Sequence, residues 1–186
     1  MVENFLLHYP FGKLSELQKS SISFLIDKIK GSAIQTPQQQ AYVLATIKHE
    51  TAETYRPIKE LGSLEYLKRK KYYPFIGRGF VQITWQENYK KFGNILKIDL
   101  AGVPDLALRP EVAWVITELG MTKGLFTGKK LSDYFNDKQC DWVNARKIIN
   151  GLDRAELIAG YAEKIYNVIS GYKNIEPLKP ATPAVS

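Results

Sequence analysis

Three glutamates, Glu50, Glu53 and Glu60, lie within one segment of eleven residues of this basic chain. Carboxyl groups that differ in protonation can divide acid and base work between them. Hydrolysis of a glycosidic bond needs such a pair, because one carboxyl protonates the leaving oxygen while the other activates water or attacks the sugar. The segment is therefore a candidate site for acid–base hydrolysis.

Glu50 lies where the apolar stripe of a helix should continue. On a helix that begins after Thr36, Val43, Ile47 and Glu50 follow one another at i, i+4 and i+7 and share the core-facing side. A carboxyl group there is partly desolvated, which favours its protonated form and predicts a proton donor. The alternative is that Glu50 closes the edge of the core and pairs with a lysine or an arginine.

Glu60 follows Pro57 and lies outside that helix. The chain can therefore fold back across a cleft, so that Glu60 faces Glu50 from a wetter environment and stays ionised. The two carboxyls would then have the opposite roles that hydrolysis requires.

The elements that position these residues are mainly helical. Thr36 as N-cap, Pro37 at the first helical position and Gln39 three residues after the cap predict the start of the central helix. Apolar spacing predicts further helices over 14–31, 109–126 (starting at Pro110) and 153–169 (with an Asp153–Glu156 cap). Short helical pieces are predicted in "LSDYF" and "DWVNARKIIN". Between the helices, the sequence predicts a loop or short hairpin over 61–79, a strand over 80–84 and a return to helix after Gly93.

The predicted strand "FVQIT" would place Gln82 and Thr84 on one face. Gly77 and Gly79, on either side of Arg78, allow the backbone to turn tightly before it. Two polar side chains on an otherwise apolar strand indicate a cleft wall that positions a sugar or a water molecule. The alternative is a strand edge that faces solvent.

Three segments together resemble glycoside hydrolase family 19, the chitinases and phage endolysins with a lysozyme-like fold. They are "HET" (49–51), "GRGFVQITWQENY" (77–89) and "ING" (149–151). The resemblance spans most of residues 14–169 and implies a mainly α (α+β lysozyme-like) domain with one small β element beside a substrate cleft. By resemblance, Glu50 is the general acid and Thr84 helps to hold the attacking water. The matched positions imply substrate contacts from His49, Arg78, Gln82, Asn88, Tyr89 and Asn150.

The second acid is chosen by the same resemblance. "TYRPIKE" is similar to an endolysin segment in which an acid follows the first glutamate by about nine residues, which indicates Glu60. Glu53 is too near Glu50 on the same helix, and Glu65 is the reserve candidate. The family's reaction inverts the anomeric centre and needs carboxyl groups about 6.5–9.5 Å apart.

The third matched segment departs from the family pattern and leaves two readings open. Leu152 stands where the family usually has a second glycine after "ING". Asn150 and Gly151 could instead form a helix C-cap. Arg154 could pair with a catalytic carboxylate or belong to the cap of the last helix.

The chain of 186 residues carries a formal charge of +7 and has a pI of about 9.3. This charge would attract a polyanion without identifying it. The resemblance implies peptidoglycan as the expected partner, and the charge suits an anionic cell wall. Chitin is the nearer alternative substrate, and a non-catalytic wall-binding or structural module of the same fold is a further alternative. The run "KRKKYY" (68–73) could touch phosphates, but no nucleic-acid partner is expected. Cys140 is the only cysteine, and neither a metal nor a cofactor is implied.

The expected organisation is one catalytic domain over residues 1–172 and a Pro-rich tail or linker stub over 173–186. Its single cysteine and short 61–76 loop favour the compact, endolysin-like branch of the family. The N-terminus resembles neither a signal peptide nor a membrane-inserting segment. We therefore expect synthesis in the cytoplasm and action at the cell wall or in the periplasm after release, through a holin-like pore or a secretion machine as partner.

Overall fold

The computed structural model describes residues 2–171 and shows a mainly helical protein. The helices are α1 (Val2–Leu7), α2 (Glu16–Lys30), α3 (Pro37–Glu50), α4 (Leu64–Lys68), α5 (Gln86–Leu96), α6 (Pro110–Lys123) and α7 (Ala155–Ile169), and the strands are β1 (Ile58–Lys59), β2 (Arg78–Gly79), β3 (Phe135–Asn136) and β4 (Gln139–Cys140). Within residues 2–171, no helix has the length and apolarity that a membrane crossing requires. The tail predicted over 173–186 lies outside the described residues.

Helices α2 and α3 begin at side-chain caps. Ser15 accepts a hydrogen bond from the backbone of Gln18, and the Gln18 side chain accepts one from the backbone of Ser15 in return. Thr36 accepts a bond from the backbone of Gln39 at 3.3 Å, and Pro37 follows it as the first helical residue. The predicted start of the central helix is confirmed, because these caps satisfy amide groups that the helix itself leaves unpaired.

The described residues form two hydrophobic cores, which adjoin each other. In the first, α3 packs against α7, and side chains from α1 and α2 complete it. The second lies around Val81, Ile83, Tyr89, Phe92, Leu100, Ala107 and Ile116. Helix α6 contributes buried residues to both cores. Phe126 and Ile149 contact both cores.

The predicted strand over 80–84 is wrong. Strand β2 ends at Gly79 and pairs with β1, and residues 80–82 form a turn that brings Ile83 back to Arg78. Gly79 (φ +88°) and Gln82 (φ +54°) adopt left-handed backbone conformations, which turn the chain where alternation of side chains indicated an extended segment.

Two helices, α1 and α4, were not predicted, and α5 begins before the predicted return to helix after Gly93. Helix α4 is capped by Ser63 inside the segment expected to be a loop or hairpin. Helix α5 runs through Gly93, which we had expected to precede a helix. A Cβ at Gly93 would lie 2.9 Å from the carbonyl oxygen of Ile98, so this glycine permits a close approach of the following chain and does not end the helix.

The start of helix α7 also differs from the prediction. The helix begins at Ala155, and the residue before it, Arg154, has φ +58° and caps the helix with no side-chain hydrogen bond. The carbonyl of Asp153 instead accepts a bond from Arg146 Nε at 3.1 Å. The predicted Asp153–Glu156 cap is therefore absent, because the chain before α7 is held from another element.

Candidate active site

A cleft of about 700 Å³ opens between the two cores. The floor includes Phe126 and Ile149, the two side chains that contact both cores. All but two of the side chains predicted for the site line this cleft, namely His49, Glu50, Glu60, Gln82, Thr84, Asn88 and Asn150. The sequence did not predict four further lining residues that bear directly on its chemistry, Tyr72, Trp85, Arg146 and Asp153.

Glu50 is the last residue of α3 and forms an ion pair at the cleft. Its Oε1 accepts a hydrogen bond from Arg146 Nη1 at 2.6 Å, and the two side chains are only 14% and 5% exposed. Its Oε2 accepts no hydrogen bond from other residues within 2–171. The sequence alternative of an edge carboxylate paired with a basic residue therefore describes a real contact, yet the same carboxyl lines the cleft.

Arg146 is the residue that sequence reasoning missed. It lies in a 3₁₀ helix, Asn144–Ile148, and it joins Glu50 to the chain before α7 through the Asp153 carbonyl. The sequence considered Arg154 for this pairing, but Arg154 caps α7. Arginine side chains are almost never fully buried unless they are paired. The burial of Arg146 would therefore have indicated a partner such as Glu50, but burial cannot be deduced from the sequence.

Glu60 follows β1 and has both carboxyl oxygens occupied by neutral donors. Its Oε1 accepts from the Tyr72 hydroxyl at 2.9 Å, and its Oε2 accepts from the Gly77 amide at 3.0 Å. Burial, together with the bond to Glu60, raises the pKa of Tyr72, which keeps its hydroxyl a donor. A Cβ at Gly77 would lie 2.7 Å from the Gln82 amide oxygen, so a larger residue here would displace the end of the Gln82 side chain.

Neither of the other two glutamates lines the cleft. Glu53 is 61% exposed and pairs with the buried Lys48 at 2.6 Å. Glu65 is exposed on α4. Of the candidates for a second acid, Glu60 alone shares the cleft with Glu50 among the described residues.

Arg78 and Tyr89 are buried and do not line the cleft, so their predicted role in substrate binding stays a prediction. Tyr89 is fully buried, and its hydroxyl donates to the Ile76 carbonyl at 2.7 Å. The Arg78 guanidinium donates to Asp105 at 2.7 Å and to the carbonyl oxygens of Pro74 and Ile76. Both side chains hold the 74–78 loop in place, since their polar groups are satisfied inside the protein and do not face the cleft.

The polar wall of the cleft is held by its own hydrogen bonds. The Gln82 amide donates to the Ile58 carbonyl at 2.8 Å, and the Asn88 amide donates to the Thr84 carbonyl at 2.8 Å. Asn150 Oδ1 accepts from the backbone of Gly151 at 2.8 Å. The Thr84 hydroxyl has no hydrogen bond to any other residue within 2–171, so it is available to a water molecule or a sugar hydroxyl.

A strained turn carries the chain from Glu50 towards Glu60. Ala52, Glu53 and Tyr55 all have positive φ angles. The buried Thr51 bonds to the Ile47 carbonyl and accepts from the Tyr55 amide, while Lys48 reaches across to Glu53. Such backbone conformations persist only where surrounding contacts over-determine them. The turn therefore fixes the end of α3 and with it the position of Glu50.

Three solved structures share the whole architecture. The first is chitinase C from Streptomyces griseus HUT6037, with a TM-score of 0.61 and 20% identity over 92% of this chain and 76% of that chain. The second is a bacterial family 19 chitinase, with a TM-score of 0.56 and 20% identity over 91% and 94%. This chain has the family 19 chitinase fold. The third is a mutant of chitinase C, with a TM-score of 0.53 and 21% identity over 93% of this chain and 93% of that chain.

Comparison of the sequence with known families and curated proteins finds no match. The predicted lysozyme-like, mainly α architecture is confirmed by the family 19 fold, whereas the roles of individual site residues stay predictions. Within residues 2–171, no group of three or more His, Cys, Asp or Glu side chains is placed to hold a metal ion.

Two aromatic side chains add a feature to this cleft that the sequence did not predict. Tyr72 and Trp85 meet edge to face, with ring centroids 5.3 Å apart, and Trp85 is 47% exposed. Trp85 has φ +71°, a strained conformation for a bulky residue. Trp85 lines the cleft with a flat apolar surface on which a sugar ring could stack. The aromatic residues at the end of "KRKKYY" were a signal, but only the fold shows that Tyr72 faces Trp85.

His49 predicts a pH dependence of stability. Burial lowers its pKa below the usual value of about 6.5. The unfolded chain therefore takes up this proton more readily, so the free energy of unfolding falls as the pH is lowered through about 6.5. Urea denaturation between about pH 7 and pH 5 should show a smaller decrease for His49→Gln than for the wild type. An identical decrease in the two proteins would contradict this assignment.

Proposed function

We propose that this protein is a glycoside hydrolase that cleaves β-1,4 bonds of an aminosugar polymer, most specifically peptidoglycan. The observation that carries the proposal is the position of Glu50 and Glu60 on one cleft, with partners of different kinds. Glu50 has a cationic partner on one oxygen, and Glu60 accepts bonds from two neutral donors. Two carboxyls in different environments are the requirement of acid–base glycoside hydrolysis.

In the proposed reaction, Glu50 first takes up a proton on Oε2, the oxygen that Arg146 does not contact, and then donates it to the glycosidic oxygen. Proton donation leaves Glu50 with a negative charge, which the Arg146 guanidinium stabilises from 2.6 Å. Glu60, held by Tyr72 and Gly77, accepts a proton from the attacking water, and the Thr84 hydroxyl helps to orient that water. Attack from the opposite face of the sugar inverts the anomeric centre and requires carboxyl groups about 6.5–9.5 Å apart.

Chitin is the second candidate substrate. The solved structures with this fold are described as chitinases, which supports a glycosidase and gives chitin equal standing from fold alone. We favour peptidoglycan because the chain carries a charge of +7 and four consecutive basic residues directly precede Tyr72, which lines the cleft. A cationic protein is attracted to an anionic wall polymer, whereas chitin offers it no negative charge.

The substrate test is digestion of purified peptidoglycan and of purified chitin, followed by mass spectrometry of the products. We expect soluble glycan fragments from peptidoglycan, with a reducing-end N-acetylmuramic acid if the protein is a muramidase and a reducing-end N-acetylglucosamine if it is a glucosaminidase. Turnover of chitin alone would assign the chitinase function. An anhydro-sugar end would contradict the activation of water, and activity on neither polymer would favour a non-catalytic module.

The base assignment is tested by Glu60→Gln. The amide can still accept the Tyr72 bond but cannot take a proton from water, so we expect hydrolysis to slow by about 10²–10⁴-fold. Glu65→Gln is the matched control, because Glu65 is exposed and lies outside the cleft lining. Circular dichroism of both variants checks that they fold. Loss of activity in Glu65→Gln with activity kept in Glu60→Gln would reverse the assignment.

A further inference from the structure

A run of four basic residues borders the cleft at its Glu60 end. Lys68 closes helix α4, and Arg69, Lys70 and Lys71 follow it directly. Leu61 before α4 and Tyr72 after the run both line the cleft. The run therefore lies on the rim of the site, and we call residues 68–71 the basic rim.

The charges of the basic rim are not neutralised by the described part of the chain. None of its four side chains forms an ion pair with a residue within 2–171. Arg69 Nε donates to the Glu65 carbonyl at 3.3 Å, and Lys70 Nζ donates to the Tyr66 hydroxyl at 2.5 Å. These contacts orient two of the cations without cancelling their charge, while Lys68 and Lys71 are exposed.

The same rim presents aromatic surface. The ammonium of Lys70 lies 4.1 Å from the centroid of the Tyr66 ring. Tyr66 is 46% exposed and Tyr73 is 41% exposed. Unpaired cations next to exposed rings fit a ligand that carries both sugar rings and negative groups, because the rings provide flat apolar contacts and the cations bind anions.

We propose that the basic rim binds carboxylate groups carried by the glycan strand in the cleft and so makes the protein selective for an anionic aminosugar polymer over a neutral one. The inference rests on the proposed function and names its substrate class. The carboxylates are those of the stem peptides of peptidoglycan, which project from the lactyl groups of the strand while its sugars occupy the cleft. Exposed ion pairs of this kind are weak singly and screened by salt, so the selectivity depends on ionic strength.

The test compares Lys68→Gln/Lys71→Gln with Lys13→Gln/Lys138→Gln, a control that removes the same charge from exposed positions outside the cleft lining. Each protein is assayed on peptidoglycan freed of phosphate-containing polymers by hydrofluoric acid, and on a neutral N-acetylglucosamine hexamer. We expect the rim variant to lose about five- to tenfold in kcat/KM on peptidoglycan at low salt. It should retain wild-type kcat/KM on the hexamer, and the control should match the wild type on both substrates.

Three outcomes would overturn the inference. An equal loss on the hexamer would mean that the rim binds sugar and not carboxylate. An equal loss in the control would mean that only net charge matters. A rim variant that matches wild type on stripped peptidoglycan, but loses affinity for untreated walls or for duplex DNA, would assign the rim to a phosphate polymer.

A binding assay separates failure of this inference from failure of the proposed function. The Glu50→Gln protein, with and without the two rim substitutions, is sedimented with stripped peptidoglycan at low and high salt. Weaker binding of the rim variant at low salt supports the carboxylate site even if peptidoglycan is never cleaved. Equal binding of the two proteins overturns it even if wild-type hydrolysis is observed.

Discussion

Glu50→Gln should reduce the rate of glycan hydrolysis by about 10²–10⁴-fold while the protein keeps its fold. The amide cannot donate the proton that the leaving oxygen needs. Its carbonyl oxygen can still accept the bond from Arg146 Nη1, which now spans 2.6 Å to Glu50. Release of reducing ends measures the rate, and circular dichroism measures the fold.

The matched control for this substitution is Glu156→Gln. Glu156 lies in the first turn of α7, is exposed and does not line the cleft. The Glu156→Gln substitution removes the same charge as Glu50→Gln, so it shows how the loss of one carboxylate affects wall binding in general. Hydrolysis by Glu50→Gln at the Glu156→Gln rate would remove the general-acid assignment.

Arg146→Met should lower the free energy of unfolding by about 3–5 kcal/mol. Arg146 is 4% exposed, and its removal leaves Glu50 as a largely buried charge without its partner. The Asp153 carbonyl also loses the donor that holds the chain before α7. Urea denaturation measures the difference from wild type.

The double variant Glu50→Gln/Arg146→Met identifies the cause. If the unpaired charge dominates, the double variant is more stable than Arg146→Met alone, since a neutral amide is less costly to bury than an ion. If the two losses simply add, the ion pair contributes little and the bond to Asp153 carries the effect.

The sequence predicted the parts of this fold that short-range chemistry determines. Thr36 and Pro37 specify the start of α3 because capping involves only neighbouring residues. The segment 80–84 was mispredicted because alternating side chains also occur in a turn, and the left-handed backbone of Gln82 has no signature in its residue type. Burial depends on distant chain segments, so the sequence could not separate Gln82, on the cleft, from Tyr89 behind it.

In the candidate site, too, local features were predicted and long-range contacts were not. The position of Glu50 followed from the period of its own helix, whereas its partner lies 96 residues later in the chain. Tyr72 and Gly77 hold Glu60 through a loop whose path depends on Arg78 and Asp105. Long-range pairings of this kind follow from the assembled cores, which no local pattern encodes.

A glycine behind the cleft makes room for one of its lining rings. Gly120 lies inside α6, where an added Cβ would overlap the ring of Phe126. Because that ring lies in the cleft floor and bridges both cores, even an alanine at position 120 would have to displace it or push the helix away. The space available to a sugar therefore depends on a residue that no substrate touches. Variation in specificity among proteins with this cleft could arise behind its floor as well as along its walls.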